Sequence, residues 1–121
     1  MEFHITDSEW KIMEQLWARN SLTQPELMTL LSEDWSKNTV HTFLTRLVRK
    51  ELVQVDKTVQ PHRYCPLVSR EACTRQEEEN FLDKLFGGSA GLLVSSFVKG
   101  GKLSKGEREE LKRLLEEMDD D

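Results

Sequence analysis

The sequence contains no apolar run near the ~20 residues that a membrane-spanning helix needs. Its first residues also lack the charged and apolar segments of a secretion signal. Charged residues make up 32% of the chain and hydrophobic residues 37%, which is typical of a globular protein with a modest core. We therefore expect a cytoplasmic protein with no membrane contact, built as one domain or as a small domain with an appendage.

Residues for metal binding and catalysis are equally scarce. Cys65 and Cys73 are the two cysteines of the sequence; they form no Cys-x-x-Cys pair, and the histidines His4, His41 and His62 are scattered. No serine, cysteine or carboxylate is placed beside a residue that could act as its catalytic base, and no glycine-rich phosphate loop is present. We expect free thiols, no metal, no cofactor and no enzymatic activity.

Acidic residues outnumber basic ones, and the net charge of -5 argues at first against a nucleic-acid partner. The distribution of charge says more than the sum. Residues 35–67 hold six basic and two acidic residues, whereas the flanking residues 1–34 and 68–121 are both acidic on balance. The positive charge is thus concentrated in the middle of the chain.

Residues 34–50, in this basic segment, read as a helix with two chemically different faces. Val40, Leu44, Leu47 and Val48 recur at helical spacing and are expected to pack inward. The other face, which we call the polar stripe, carries amides, hydroxyls, an imidazole and two guanidinium groups: Asn38, His41, Thr42, Thr45, Arg46 and Arg49. This face carries few carboxylates, which would repel a phosphate backbone.

The start of this helix carries its own signals. Ser36 suits the N-cap, and Trp35 is placed to close on Val40 as a hydrophobic staple. A staple of this kind would set the angle at which the helix leaves the turn, as a DNA-reading helix requires. The plain alternative is a solvated amphipathic helix whose polar residues bind nothing.

Two upstream segments also carry helix-start signals. Thr6-Asp7-Ser8-Glu9 and Thr23-Gln24-Pro25-Glu26 both fit a capping box. The first predicts a helix from about Thr6 to Arg19, and the second predicts a short helix ending near Ser32. A tight turn then leads into the next helix, which is the spacing of a helix-turn-helix.

Beyond residue 50, two segments of β-type residues, 52–55 and 63–65, flank a polar interruption. Together they predict a hairpin, and a hairpin after a helix-turn-helix makes a winged helix. Lys57, His62 and Arg63 would then place hydrogen-bond donors on the wing. An ordinary polar hairpin is the alternative for each of these residues.

From residue 69 onward the sequence predicts three helices: Ser69 to about Phe86, Gly91 to Val98, and one starting at the capping box of Ser104. They are too small to bury their own apolar residues. A second copy would cover these residues, whereas packing on the chain's own winged helix would give a monomer. Symmetry favours the dimer, with an interface expected at Phe81, Leu85, Leu92, Leu93, Phe97, Leu111, Leu114 and Leu115.

Several short segments have a characteristic order and spacing along the chain: Ile5-Thr6-Asp7-Ser8-Glu9-Trp10, Asp34-Trp35-Ser36, Thr39-Val40, Thr45-Arg46-Leu47, Arg49-Lys50, Leu103-Ser104 and Glu109-Glu110-Leu111. Together they resemble the penicillinase and methicillin-resistance repressor family (BlaI/MecI type), to which copper-responsive CopY-type repressors are related. The resemblance implies a cytoplasmic homodimeric transcriptional repressor with a winged helix on operator DNA and a C-terminal three-helix dimerisation region.

The resemblance also implies points of control. In relatives that respond to β-lactams, a membrane sensor triggers proteolysis of an Asn-Phe bond in the penultimate helix, and the matching pair here is Ser96-Phe97. CopY-type relatives carry paired Cys-x-Cys motifs that bind metal; this sequence has none, so copper control is not expected. Glu51 stands where many relatives have Gly after the basic pair.

We therefore predict a mainly α protein with a small β-hairpin wing: a winged helix-turn-helix at residues 1–67 and a three-helix dimerisation region at residues 68–121. It would repress transcription by binding a palindromic double-stranded operator as a homodimer, with a sensor-linked protease as a further partner. The alternatives are a small-molecule-responsive regulator without proteolysis and a winged-helix protein-interaction module. The predicted DNA contacts are Lys37, Asn38, Thr39, His41, Thr42, Thr45, Arg46, Arg49, Lys57 and Arg63.

Overall fold

The computed structural model describes residues 4–119. It forms two compact units, the first ending at Glu77 and the second beginning at Glu78. This division lies later along the chain than the domain boundary predicted at residue 67, which stays a prediction. The elements are α1 (Asp7–Arg19), β1 (Leu22–Thr23), α2 (Gln24–Leu30), α3 (Lys37–Arg49), β2 (Val53–Asp56), β3 (Arg63–Pro66), α4 (Arg70–Phe86), α5 (Ala90–Lys99) and α6 (Lys105–Met118).

The two predicted capping boxes open α1 and α2. Thr6 Oγ1 accepts a hydrogen bond from the amide of Glu9 at 3.2 Å, and Glu9 Oε1 accepts one from the amide of Thr6 at 2.9 Å. Thr23 and Glu26 make the same reciprocal pair at 3.3 and 2.9 Å. Both helix starts are therefore confirmed, because each box satisfies amide groups that the first turn leaves without partners.

The end of α2 differs from the prediction. The helix stops at Leu30 instead of continuing to about Ser32. Leu31 still donates its amide to the carbonyl of Leu27 at 2.9 Å, but its own backbone is extended, with φ -74° and ψ 133°. The chain therefore turns toward α3 earlier than the sequence pattern indicated.

The predicted hairpin is present and belongs to a three-stranded antiparallel sheet in the order β1-β3-β2. In the hairpin Val53 pairs with Pro66 and Asp56 with Arg63. On the other side of β3, Leu22 of β1 pairs with Tyr64. Strand β1 was not predicted, because two residues are too few to show strand alternation.

One apolar core holds the first unit together. The apolar face of α3 contributes Val40, Leu44 and Leu47, which are fully buried as predicted, while Val48 is half-buried. The other buried members come from α1, α2, the sheet and the segment before β2: Ile12, Met13, Leu16, Leu22, Leu27, Leu52, Val53 and Tyr64. This packing fixes the rotation of α3 about its own axis.

A left-handed residue ends α3. Glu51 has φ 63°, its amide bonds the carbonyl of Val48 at 3.0 Å, and the amide of Leu52 bonds the carbonyl of Leu47 at 3.0 Å. This pair of bonds is a Schellman motif, which usually has glycine at the left-handed position. The left-handed backbone of Glu51 therefore explains why glycine would suit this position.

The helices of the second unit bury little by themselves. The N-cap of α6 is Ser104, as predicted, whereas α5 begins at Ala90 after the N-cap Ser89, one residue before the predicted Gly91. Neither helix contains a buried residue. Large apolar side chains are exposed along the unit: Phe81, Leu85, Leu92, Val94, Phe97, Val98, Leu114, Leu115 and Met118. The predicted interface residues Leu93 and Leu111 are half-buried.

No single helix within residues 4–119 is long and apolar enough to cross a membrane; α4 and α5, bent by 73° from each other, meet that test only as a pair and only by length and composition. Cys65 and Cys73 are free thiols, as predicted, the first half-buried and the second buried. Burial, with a smaller effect of Glu77, raises the pKa of Cys73. Residues 4–119 contain no cluster of three potential metal ligands.

Candidate nucleic-acid interface

The polar stripe of α3 lies on the surface. All six of its residues are exposed. The hydroxyl of Thr42 donates to the carbonyl of Asn38 at 2.9 Å, within the helix. Among residues 4–119, the remaining side chains of the stripe make no hydrogen bond or ion pair: Asn38, His41, Thr45, Arg46 and Arg49. They are therefore available to a partner that approaches from solvent.

Two contacts hold the first turn of α3 in place. Ser36 Oγ accepts the amide of Thr39 at 3.1 Å and lies 2.9 Å from the Thr39 hydroxyl, which confirms Ser36 as the N-cap. Gln24 at the start of α2 donates its side-chain amide to the carbonyl of Lys37 at 2.8 Å. The start of α2 thus braces the start of α3, and the side chain of Lys37 remains exposed.

Aromatic packing supports the turn before α3. The ring of Trp35 meets the ring of Phe43 edge-on, with centroids 5.1 Å apart and planes at 67°. Lys11 of α1 places its ammonium group 6.0 Å from the Trp35 ring centroid and forms an ion pair with Glu33. The predicted staple partner of Trp35 was Val40, and the contact with Phe43 was not predicted.

An ion pair anchors the other end of α3. Lys50 Nζ lies 2.7 Å from Glu9 Oε1 and donates to the carbonyl of His4 at 2.9 Å. Burial raises the pKa of the Glu9 carboxyl, but the bonds from Lys50 and Thr6 outweigh burial and hold the pKa below its ordinary value of 4.5. Glu9 was predicted only as a member of a capping box, and its ion pair with Lys50 was not predicted.

The wing carries two basic residues: Lys57 is exposed, and Arg63 is bonded to other residues of the chain. Lys57 is exposed beyond β2, where the carboxylate of Asp56 accepts the amide of Thr58 at 2.9 Å and organises the turn. Arg63 donates to the side chain and carbonyl of Ser21 at 2.9 and 3.2 Å and lies 3.4 Å from the carboxylate of Glu26. These contacts attach β3 to the region of β1 and α2; a DNA contact by Arg63 stays a prediction.

Comparison with known proteins gives this surface its context. The family model described as penicillinase repressor matches residues 5–117. The chain belongs to this family. Members of the penicillinase repressor family are transcriptional repressors and not enzymes, so the resemblance and the absence of enzymatic activity predicted from sequence are both confirmed.

Two relatives are similar over nearly their whole length. The methicillin resistance regulatory protein MecI of Staphylococcus aureus is 29% identical over 115 residues, which cover 93% of this chain and 94% of MecI. The penicillinase repressor of Bacillus licheniformis is also 29% identical over 115 residues, which cover 93% of this chain and 90% of that protein.

A solved structure is similar to just over half of the chain. It is the solution structure of Bacillus licheniformis BlaI in its monomeric form, in complex with the blaP half-operator. The TM-score is 0.51 and the identity 27%, over 57% of this chain and 87% of that chain. The winged-helix fold predicted from the sequence is confirmed.

Proposed function

We propose that two copies of this chain, joined through their second units, bind a palindromic operator and repress transcription by occluding it. Each copy places α3 in a major groove, and the two grooves follow one another along the duplex. The exposed polar stripe carries this proposal, because its side-chain donors other than the Thr42 hydroxyl have no partners among residues 4–119. On the opposite face of α3, Val40, Leu44 and Leu47 are fully buried. The half-operator complex of BlaI supports one winged helix per half-site.

The side chains of the stripe suit different contacts. Arg46 and Arg49 carry planar guanidinium groups that match guanine or phosphate oxygens. Asn38 and His41 lie toward the start of the helix and can reach base edges. The hydroxyl of Thr42 is already bonded to the carbonyl of Asn38, which leaves its methyl group for thymine; Thr45 has no such bond and can use its hydroxyl or its methyl group.

Residues around the stripe suit phosphate contacts, which position the helix without reading bases. Lys37 lies in the first turn of α3, and Lys57 lies on the wing. Thr39 is half-buried, and both its amide and its hydroxyl contact Ser36 Oγ, so a phosphate near the start of α3 would bind the other amides of the first turn. Arg63 keeps its bonds to Ser21 and adds charge near the wing.

The dimer follows from the exposed apolar side chains of the second unit. Side chains such as Leu92, Phe97 and Leu115 remain exposed in a single copy, and a second copy of the same surface buries them around a two-fold axis. When two winged helices are joined, the second one binds its half-site intramolecularly, with a gain on the order of 10²–10⁴ in affinity. Dimerisation therefore converts weak half-site binding into repression.

The proposal extends to release from DNA. Ser96 and Phe97 lie within α5, and both are exposed in one copy. A cut between them by a sensor-linked protease separates α6 from the winged helix and divides the apolar surface on which the dimer depends. Each winged helix then binds its half-site independently and weakly, and both dissociate from the operator. We place this repression in the cytoplasm.

The proposal is tested by selecting bound sequences from random double-stranded DNA with the full chain, followed by anisotropy titration on the selected operator and on scrambled DNA. Arg46→Ala should weaken operator binding by ~1–3 kcal/mol, which is roughly 5- to 150-fold, and relax the preference at one base position. Lys57→Ala should weaken binding to both DNAs alike and lower the salt slope by about 1.

Lys112→Ala provides the control, since it removes an exposed cation from α6. It should leave operator affinity unchanged. Recovery of no consensus sequence by the wild-type chain would show that the proposed function is wrong. If Arg46→Ala binds the operator as tightly and as selectively as wild type, Arg46 is not a DNA contact.

A further inference from the structure

The start of α3 receives a hydrogen bond from outside the helix. The side-chain amide of Gln24, the first residue of α2, donates to the carbonyl of Lys37 at 2.8 Å. Lys37 is the first residue of α3, and in α-helical geometry its carbonyl also accepts the amide of His41, four residues later. The bond from Gln24 therefore reaches a peptide group of the turn that carries the first residues of the polar stripe.

The backbone of Gln24 belongs to a well-anchored part of the first unit. The residue before it, Thr23, is 6% exposed and caps α2 through its reciprocal hydrogen bonds with Glu26. Thr23 also belongs to β1, where it pairs with Arg63 of β3. Gln24 thus links the start of α3 to the sheet that carries the wing.

A different contact holds the far end of α3. Lys50 bonds the carboxylate of Glu9 on α1 at 2.7 Å, and Arg46 and Arg49 lie in the last turn of α3, next to this contact. A helix of 13 residues is about 20 Å long, so its two ends meet different base pairs. Loss of the Gln24 bond removes a restraint from the first turn and leaves the restraint on the last turn in place.

We propose that Gln24 is a positioning residue that sets the selectivity of α3 at the base pairs that Asn38 and His41 meet. It acts through the carbonyl of Lys37 and needs no contact with DNA. This inference rests on the proposed function, because a base preference exists only if the polar stripe reads bases. Hydrogen bonds to base edges depend on distance and angle. A displaced first turn therefore loses base preference, whereas the attraction of phosphates, which depends on charge, is kept.

A purely structural role of the Gln24 bond predicts different behaviour. If the bond only stabilised the first unit, its loss would lower the free energy of unfolding, but the molecules that remain folded would keep the wild-type base preference. A positioning role changes the base preference of the folded molecules, and only at one end of α3. The pattern of base preference is therefore the measurement that separates the two roles.

The experiment selects bound sequences from random double-stranded DNA with wild type and with Gln24→Met, each as the full chain. Methionine has a similar length and helix propensity but cannot donate a hydrogen bond. Preference should fall ~5-fold or more at the base pairs where Asn38→Ala or His41→Ala also relaxes it. It should persist where Arg46→Ala relaxes it. Affinity for scrambled DNA and the salt slope should stay at wild-type values, since no cation is removed.

Combined variants show whether Gln24 acts through the start of α3. Added to a chain that carries both Asn38→Ala and His41→Ala, Gln24→Met should change selectivity by ~2-fold or less, because the contacts that it positions are already gone. Added to Arg49→Ala, it should cause its full loss of ~5-fold or more, because the two residues act at opposite ends of the helix.

Gln15→Met is the matched control. It makes the same exchange on α1, at a side chain that is half-buried like that of Gln24 and has no hydrogen bond among residues 4–119. It should keep the wild-type consensus. Urea unfolding of each variant checks that the chain is folded under the conditions of selection.

Three results overturn the inference while the proposed function stands. Gln24→Met may keep the wild-type consensus, it may relax every base position equally, or Asn38→Ala and His41→Ala may both leave the consensus unchanged. If wild type itself recovers no consensus, the proposed function fails and this inference fails with it.

Discussion

Lys50, the residue that caps the C-terminus of α3, places its ammonium group 2.7 Å from the carboxylate of Glu9, near the N-terminus of α1. The side chain of Glu9 is 1% exposed and that of Lys50 is 30% exposed. Glu9 Oε2 has no partner among residues 4–119, so Lys50 and the amide of Thr6 supply the contacts of this buried carboxylate. The C-terminal end of α3 is thereby tied to the first helix of the chain.

Replacing Lys50 by Met should destabilise the first unit by about 3 kcal/mol, because the removal of one partner leaves a buried charge without compensation. The free energy of unfolding in urea measures this loss. Lys11→Met is the control, since the ion pair of Lys11 with Glu33 is largely exposed and such pairs contribute ~0–1 kcal/mol. Equal losses in the two variants would contradict the assigned importance of the Glu9 contact.

The same pair predicts how stability depends on pH. The pKa of Glu9 is lower in the folded chain than its ordinary value of 4.5, so below that value the unfolded chain binds more protons. The contribution of Glu9 is thus fully present above pH 4.5 and is lost as the pH falls through the folded pKa. Urea unfolding between about pH 6 and about pH 3.5 measures it. Lys50→Met should lose less stability over this range than wild type. A larger loss in Lys50→Met would contradict the predicted sign of the pH dependence.

Glu51→Gly should stabilise the chain by about 1 kcal/mol, because Glu51 holds a left-handed backbone conformation, φ 63°, that glycine adopts without strain. Glu51→Ala is the comparison: it removes the carboxylate beyond the C-terminus of α3 but keeps a Cβ, so it should give little of this gain. Gly101, at the matching position after α5 with φ 69°, should lose stability when replaced by Ala. Equal unfolding free energies for Glu51→Gly and Glu51→Ala would exclude backbone strain as the cause.

Phe97→Glu should disrupt the proposed dimer, because it places a charge on an apolar surface that a second copy would bury. Phe97 is 42% exposed in α5. Sedimentation velocity should show wild type as a dimer and the variant as a monomer, with operator affinity lower on the order of 100-fold or more. Leu67→Glu is the control in the first unit, at a side chain that is 53% exposed. A wild-type chain that sediments as a monomer, or a variant that remains dimeric, would contradict the proposed interface.

Much of the local structure was predictable because its determinants lie within four residues of one another. The capping boxes at Thr6, Thr23 and Ser104 each join a side chain to an amide three residues later, so they can be recognised by spacing alone. The two faces of α3 follow from the same helical period. The exposure of Arg46 and the burial of Leu44 were therefore both foreseen.

The contacts of Glu9 could have been suspected but not assigned. Glu9 precedes Ile12 and Met13 by three and four residues, so helical spacing places it on the buried face of α1. A buried carboxylate requires a cation, but nothing in the spacing of the sequence selects Lys50 from the basic residues available. That choice depends on how α1 and α3 pack.

The sequence by itself determined where the helices begin, which face of α3 is apolar and which donors it displays, since short-range hydrogen bonds and the period of the helix decide these features. Only the tertiary structure decided that β1 pairs with Tyr64, that Trp35 meets Phe43 and that Trp17 holds Val68. These partners are far apart along the chain or lack a regular spacing. Their pairing is fixed by the packing of one shared core, in which each contact depends on the position of every other element.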